Sequence, residues 1–178
     1  MNRRISPANV HVKNEMYKAL LKLLKEKSIS AIRVSDITQE ANVSRMSFYR
    51  NYNSVEEILT EQLNVVVEQY QKEDMDMVLQ NAEQVFYGKT YMTHCFRFFF
   101  QHHTFIDTLI SCGMGDLFLA KITEYLIDKW ITRQGNDTRE GVLKISAYAG
   151  AIYNMYREWA KGEFQEQPEE IAEILCLR

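Results

Sequence analysis

Proline and glycine, the residues that most readily interrupt a helix, are scarce in this 178-residue chain. Pro7 and Pro168 are the only prolines, and no glycine precedes Gly88. This predicts an almost wholly helical chain, with no β-rich segment to compete. Cysteine is also sparse. Cys95, Cys112 and Cys176 are odd in number, lack CxxC spacing and accompany no secretory signal, so buried thiols in a reducing cytoplasm are expected. No run of about 18 apolar residues occurs, because Arg97, Asp107, Asp128 and Lys129 break the greasiest stretches, and a soluble protein with no membrane partner is expected. Internal repeats and low-complexity tracts are missing too. So are a Gly-rich phosphate loop, a nucleophile motif and a paired-carboxylate site, which argues against an enzyme.

The charge is unevenly distributed. Residues 1–53 hold ten Lys or Arg against four Asp or Glu, whereas residues 54–178 hold eleven against twenty. A basic head is thus followed by an acidic body, although a basic stretch acquires meaning only together with a motif.

Met16, Leu20, Leu23 and Leu24 share one face of a helix expected at about 12–27, and Val55, Leu59, Leu63, Val66, Val67 and Tyr70 do so at about 55–71. Farther on, helices are expected at about 91–102, 104–111, 115–132, 139–161 and 168–177. Gly113, Gly135 and Gly162 act as stops and Pro168 opens the last helix. Residues 73–89 fit no single assignment.

Between the first two helices, Val34 to Ala41 suits a two-turn helix, Asn42-Val43-Ser44 a turn, and the segment to Tyr52 a second short helix capped by Ser44. This is helix-turn-helix syntax, and Asn42 is among the non-glycine residues that best tolerate positive φ. Ile37, Ala41, Val43 and Phe48 are expected to face a small core. Arg45, Ser47, Arg50 and Asn51 then face outward, toward a major groove.

The stretch Ile32-Arg33-Val34-Ser35-Asp36-Ile37 through Ala41-Asn42-Val43-Ser44-Arg45-Met46-Ser47-Phe48-Tyr49, followed by Tyr52 and Glu56-Glu57-Ile58-Leu59, resembles the DNA-binding signature of the TetR family. The resemblance implies base contacts from Arg45, Met46 and Ser47. It implies phosphate contacts from Tyr49 and Asn51, with help from the helix start around Ser35. Arg50 serves either role, and Arg33 and Ser44 complete the implied DNA-facing set. Arginine pairs bidentately with guanine, serine bonds to several bases, methionine packs on a thymine methyl, and a phenol donates to phosphate. The sequence departs from the family pattern at three positions. Asn42 replaces the usual turn glycine, Arg33 the usual capping threonine, with Ser35 as an alternative cap, and Val55 the usual lysine. Arg3, Arg4 and Lys13 are expected to compensate electrostatically for the lysine.

In the body, Phe96-Arg97-Phe98-Phe99-Phe100, the stretch Phe105 to Ile110, and Tyr153 through Gly162 with Pro168-Glu169-Glu170 resemble the C-terminal domain of Firmicutes-type TetR-like regulators. The resemblance implies an effector-responsive repressor that binds a pseudo-palindromic double-stranded operator as a homodimer. The body is rich in aromatics and methionines, Phe86 and Tyr87 included, and most of them are expected in the core. An effector pocket needs apolar walls with a few polar groups, and Tyr91, His94, Phe98, Phe99, His102, Met114, Phe118, Tyr148 and Tyr153 are the expected lining for an unidentified small molecule. His94 and His102 lie about two helical turns apart, too far to share a metal, so neither a metal site nor a cofactor is expected. A thiol redox sensor at Cys95 or Cys112 is a minor alternative.

On the 139–161 helix, Val142, Ile145, Ala149, Ile152, Tyr153 and Tyr156 form an apolar stripe, while Ala147, Gly150, Ala151 and Asn154 form a flatter side. With Ile171, Ile174 and Leu175 they suit a two-fold four-helix interface, or alternatively the monomer core. The expected architecture is all-α: a three-helix DNA-binding head over residues 1–53, and a helical effector-binding and dimerisation bundle over residues 54–178. The alternative is a similar DNA-binding or interaction module with no effector.

Overall fold

The computed structural model of the chain describes residues 7–80, 88–134 and 138–176. Every regular element among them is helical: α1 (Pro7–Leu23), a 3-10 turn (Ile29–Ala31), α2 (Val34–Glu40), α3 (Arg45–Asn51), α4 (Glu56–Gln80), α5 (Lys89–Gln101), α6 (His103–Ser111), α7 (Gly115–Gln134), α8 (Arg139–Lys161) and α9 (Pro168–Cys176). No helix among the described residues is long and apolar enough to cross a membrane. The chain divides into two compact units, Met1–Val65 and Val66–Arg178.

In the first unit, α1 extends back at least to Pro7, earlier than the apolar stripe suggests. Met16 and Leu20 of α1, Ile37 of α2, Phe48 of α3, and Leu59 and Leu63 of α4 are fully buried and form one core. Ala41 and Val43, expected inside, are half-buried. The unit extends past the expected boundary at Asn53, since Ile58, Leu59 and Leu63 complete this core. Two carboxylates fix the start of α4: Glu57 accepts the Asn53 backbone N–H at 2.8 Å, and Glu61 accepts the Tyr52 hydroxyl. Lys13 also bonds Glu61 and lies 5.6 Å above the Tyr52 ring. Its charge is therefore used inside the head, which corrects the expectation that it supplements the DNA-facing charge. Arg3 and Arg4 lie outside the described residues.

In the second unit, α5 packs on α9, α7 on α8, and α6 on α7. The aromatic residues interlock edge to face: Phe96 on Trp159 (6.1 Å), Phe99 on Phe118 (5.4 Å) and Phe99 on Tyr156 (5.6 Å). The Tyr156 hydroxyl donates to Asp107 at 2.8 Å. Gly115 is where the Tyr153 hydroxyl seats, since a Cβ there would lie 2.3 Å from its oxygen. Gly113 takes φ of 76° between α6 and α7. After α8, by contrast, Gly162 keeps a negative φ, and the left-handed residues are Glu163 and Phe164. The Phe164 ring holds this turn by packing on Trp159 (5.0 Å), His103 (5.1 Å) and Phe100 (5.4 Å).

The α8 stripe is buried at Ile145, Ala149, Ile152, Tyr153 and Tyr156, while Ala147 and Asn154 are exposed and Gly150 and Ala151 half-buried. Ile171 and Ala172 are buried within their own chain, in keeping for Ile171 with the monomer-core alternative; Ile174 is exposed and Leu175 half-buried. Gly135, Phe86 and Tyr87 lie outside the described residues. Of the ambiguous 73–89 segment, residues to Gln80 continue α4.

Candidate functional site

The turn between α2 and α3 is set by two residues. Asn42 adopts φ of 53°, and the Val43 N–H donates to the Thr38 carbonyl at 2.9 Å, folding the chain back on itself. Ser44 is extended, and its Oγ accepts the Ser47 N–H at 3.0 Å, satisfying one of the free amides at the start of α3. With α3 so begun, Phe48 points inward and is fully buried, while Arg45, Met46, Tyr49 and Arg50 point outward. Met46 is 72% exposed and Tyr49 61%, unusual for side chains this apolar. Ser47 is half-buried, with its hydroxyl 2.9 Å from that of Ser44. Asn51 turns its amide onto the Ser47 carbonyl at 2.8 Å, so one of its two donors is already committed within the head.

At the opening of α2, Arg33 occupies the cap position, exposed and with its side chain making no capping bond. Asp36 serves instead, accepting the Lys27 ammonium at 2.8 Å and the Arg33 backbone N–H at 3.0 Å. These bonds, Lys27 first, hold its carboxyl below the usual carboxylate range. Ser35 is the second residue of α2, which corrects its reading as an alternative cap. Arg33, Ser35, Arg45 and Tyr49 converge on an open cleft of about 430 Å³ that Val55 and Glu56 also line. Val55 is only 6% exposed, so its position is a packing site. Within the described residues, none of Arg33, Arg45 and Arg50 enters an ion pair.

The second unit holds a partly open apolar cavity of about 40 Å³. Of the expected pocket residues, Tyr91, Phe98, Phe99 and Phe118 line it; His94, His102, Met114, Tyr148 and Tyr153 lie outside its wall. The His94 ring stacks on Tyr70 at 5.4 Å, with a buried Nε2 that has no hydrogen-bond partner among the described residues. The His102 ring packs on Phe98 at 4.4 Å, and burial lowers its pKa. Sequence reasoning missed Tyr70, Cys95, Lys121 and Tyr125 on this wall, along with the polar knot at Asp74, which is fully buried. Asp74 accepts the Tyr125 hydroxyl and pairs with Lys129 at 2.7 Å. Burial pushes the Cys95 thiol up to about 12 and raises that of Cys112, so neither is poised as a thiolate. Among the described residues, no group of three or more His, Cys, Asp or Glu is placed to hold a metal ion.

A family model described as a transcriptional regulator C-terminal region, TetR_C_8, matches residues 88–177, half of the chain. The chain belongs to the TetR family. Among solved structures, Lin0861 from Listeria innocua superimposes with a TM-score of 0.76 over 98% of this chain and 92% of its own, at 10% identity. The fatty acid degradation regulator FadR from Bacillus halodurans does so with a TM-score of 0.53 over 97% and 94%, at 13% identity. Such identities establish a shared fold alone. No curated protein matches the chain in sequence.

For a TetR-family regulator, the three departures in the head now have physical accounts. Asn42 supplies the left-handed turn that glycine would supply. Arg33 leaves capping to Asp36 and keeps its guanidinium at the cleft. Val55 is buried, and the exposed Glu56 beside it adds a negative charge to the same cleft. The chain is a DNA-binding transcriptional regulator, and its membership in this family gives no indication of catalysis.

Proposed function

We propose that this regulator is a ligand-responsive repressor that binds a pseudo-palindromic operator as a two-fold dimer. The reading rests on the outward face of α3, where Arg45, Met46, Tyr49 and Arg50 are all exposed beside the cleft that holds Arg33 and Ser35. Arg45, Met46 and Ser47 read base edges; Tyr49, with Arg33, Ser35 and the free donor of Asn51, grips phosphates; Arg50 does either; Ser44 orders the helix that carries them. In the dimer, two such helices enter successive major grooves about 34–36 Å apart. Ligand in the body releases DNA.

The direct test is fluorescence anisotropy of the full chain with duplexes taken from its own upstream region, over about 50–200 mM salt. Affinity is expected to fall by orders of magnitude across that range, because phosphate neutralisation releases counterions. A flat salt dependence overturns the reading. The small volume of the body cavity, against about 300–1,000 Å³ for drug-sized sites, favours a second reading: a constitutive DNA-binding module with no effector. That reading expects operator affinity and reporter repression to be indifferent to every small molecule tried.

A further inference from the structure

Three carboxylates stand near the start of α4, and two of them are engaged within the head. Glu57 accepts the Asn53 backbone N–H at 2.8 Å and the Asn53 side-chain amide at 3.0 Å, while Glu61 accepts the Lys13 ammonium and the Tyr52 hydroxyl. Glu56 differs from both. Its backbone carbonyl takes the Thr60 hydroxyl at 3.2 Å, but its side chain is exposed and enters no ion pair among the described residues. The first turn of a helix favours a carboxylate, and Glu57 already supplies one there.

Glu56 lines the same cleft as Arg33, Ser35, Arg45 and Tyr49. Both guanidinium groups are exposed and, among the described residues, equally without an ion pair. The cleft thus presents two uncompensated positive charges and one uncompensated negative charge, and the neighbouring Val55 is buried and adds none. A cleft of about 430 Å³ fits within one Debye length, about 10 Å at 0.1 M salt. A phosphate held by Arg33 or Tyr49 is therefore only partly screened from a carboxylate on the same wall.

We propose that Glu56 limits the DNA affinity of this head by repelling the phosphate backbone that its neighbours attract. The inference rests on the placement of phosphate in this cleft proposed above. Every sequence presents phosphates, so the repulsion lowers operator and random binding together and leaves base discrimination intact. A head restrained in this way is held less on random DNA.

Glu56→Gln removes the charge and keeps the side chain's size, and Glu56→Lys reverses the charge. The full-length protein and both variants are titrated by fluorescence anisotropy with a duplex from the protein's own upstream region and a scrambled duplex of the same composition, at about 50 and 200 mM salt. Glu56→Gln is expected to bind both duplexes about three- to tenfold more tightly at the lower salt, with a smaller gain at the higher. Glu56→Lys is expected to bind more tightly still, its salt slope steeper by about 0.9 for each phosphate gained. Unchanged affinity in Glu56→Gln would reduce Glu56 to a helix-start residue and overturn the proposal. Weaker operator binding would make the carboxylate an acceptor for a base or a clamp on a guanidinium, and tightening confined to one duplex would set it against base edges; each result overturns the proposal while leaving phosphate in the cleft. Binding by the unmodified protein that ignores salt would overturn the phosphate reading itself, and the proposal with it.

Discussion

Arg45 and Tyr49 leave α3 one turn apart and are both exposed, yet their chemistry separates their duties. A guanidinium can match two acceptors on one guanine, whereas a phenol gives a single bond to a phosphate oxygen that every sequence presents. Arg45→Ala is therefore expected to cost about 1–3 kcal/mol, chiefly at one base position. Tyr49→Phe is expected to weaken operator and random DNA alike, since the ring contact with Phe48 at 5.5 Å survives the change. Competition titrations check both, and equal loss on specific and random DNA for Arg45→Ala would remove that residue from base readout. The sequence showed this face because the inward residue, Phe48, and the cap, Ser44, mark the phase of so short a helix. It did not show that Asn51 would spend a donor on the Ser47 carbonyl, a choice made by the way α3 ends.

Among elements, the α2–α3 turn is the most constrained. A residue at φ of 53° is tolerated as asparagine, costs nothing as glycine, and is strained when β-branched. Asn42→Gly is expected to be close to neutral in thermal melts, and Asn42→Val to destabilise by about 1–3 kcal/mol. Helix boundaries followed the same logic of backbone chemistry. From α6 onward, Gly113, Gly162 and Pro168 brought the expected edges beside them within a few residues of those observed. α4 was harder to read, because its apolar stripe fades after Tyr70 into Gln71, Lys72, Glu73 and Asp74. Asp74 looks like a surface residue and is instead fully buried, with its Oδ2 bonded to both Tyr125 and Lys129 from α7. No local pattern announces a partner some fifty residues away. The same gap explains the pocket: the aromatic residues were visible as a class, but which ring faces bound a void depends on how α4, α5, α7 and α8 pack.

For the whole molecule, the decisive question is the two-fold assembly. The side of α8 bearing Ala147, Gly150 and Ala151 is uncovered or half-covered in the single chain, with Leu143 53% and Ile174 57% exposed. Small residues permit close helix approach, so Ala151→Arg is expected to yield monomers that lose operator affinity while retaining helical content. Sedimentation of the unmodified protein at micromolar concentration is the direct check, and a monomer mass there would remove both the interface and the paired-groove mechanism. The ion pairs of the head carry a further consequence. Lys13, Lys18, Lys22 and Lys27 are each bonded to a carboxylate of the same unit, whereas among the described residues Lys25, Arg33, Arg45 and Arg50 enter no ion pair. Acetylation, which erases lysine charge, would thus fall, Lys25 aside, on the head's internal bonds, several of them exposed and individually weak. The guanidinium charge offered to a phosphate backbone would persist, leaving this head far less open to acetyl-transfer control than one that grips DNA with lysine.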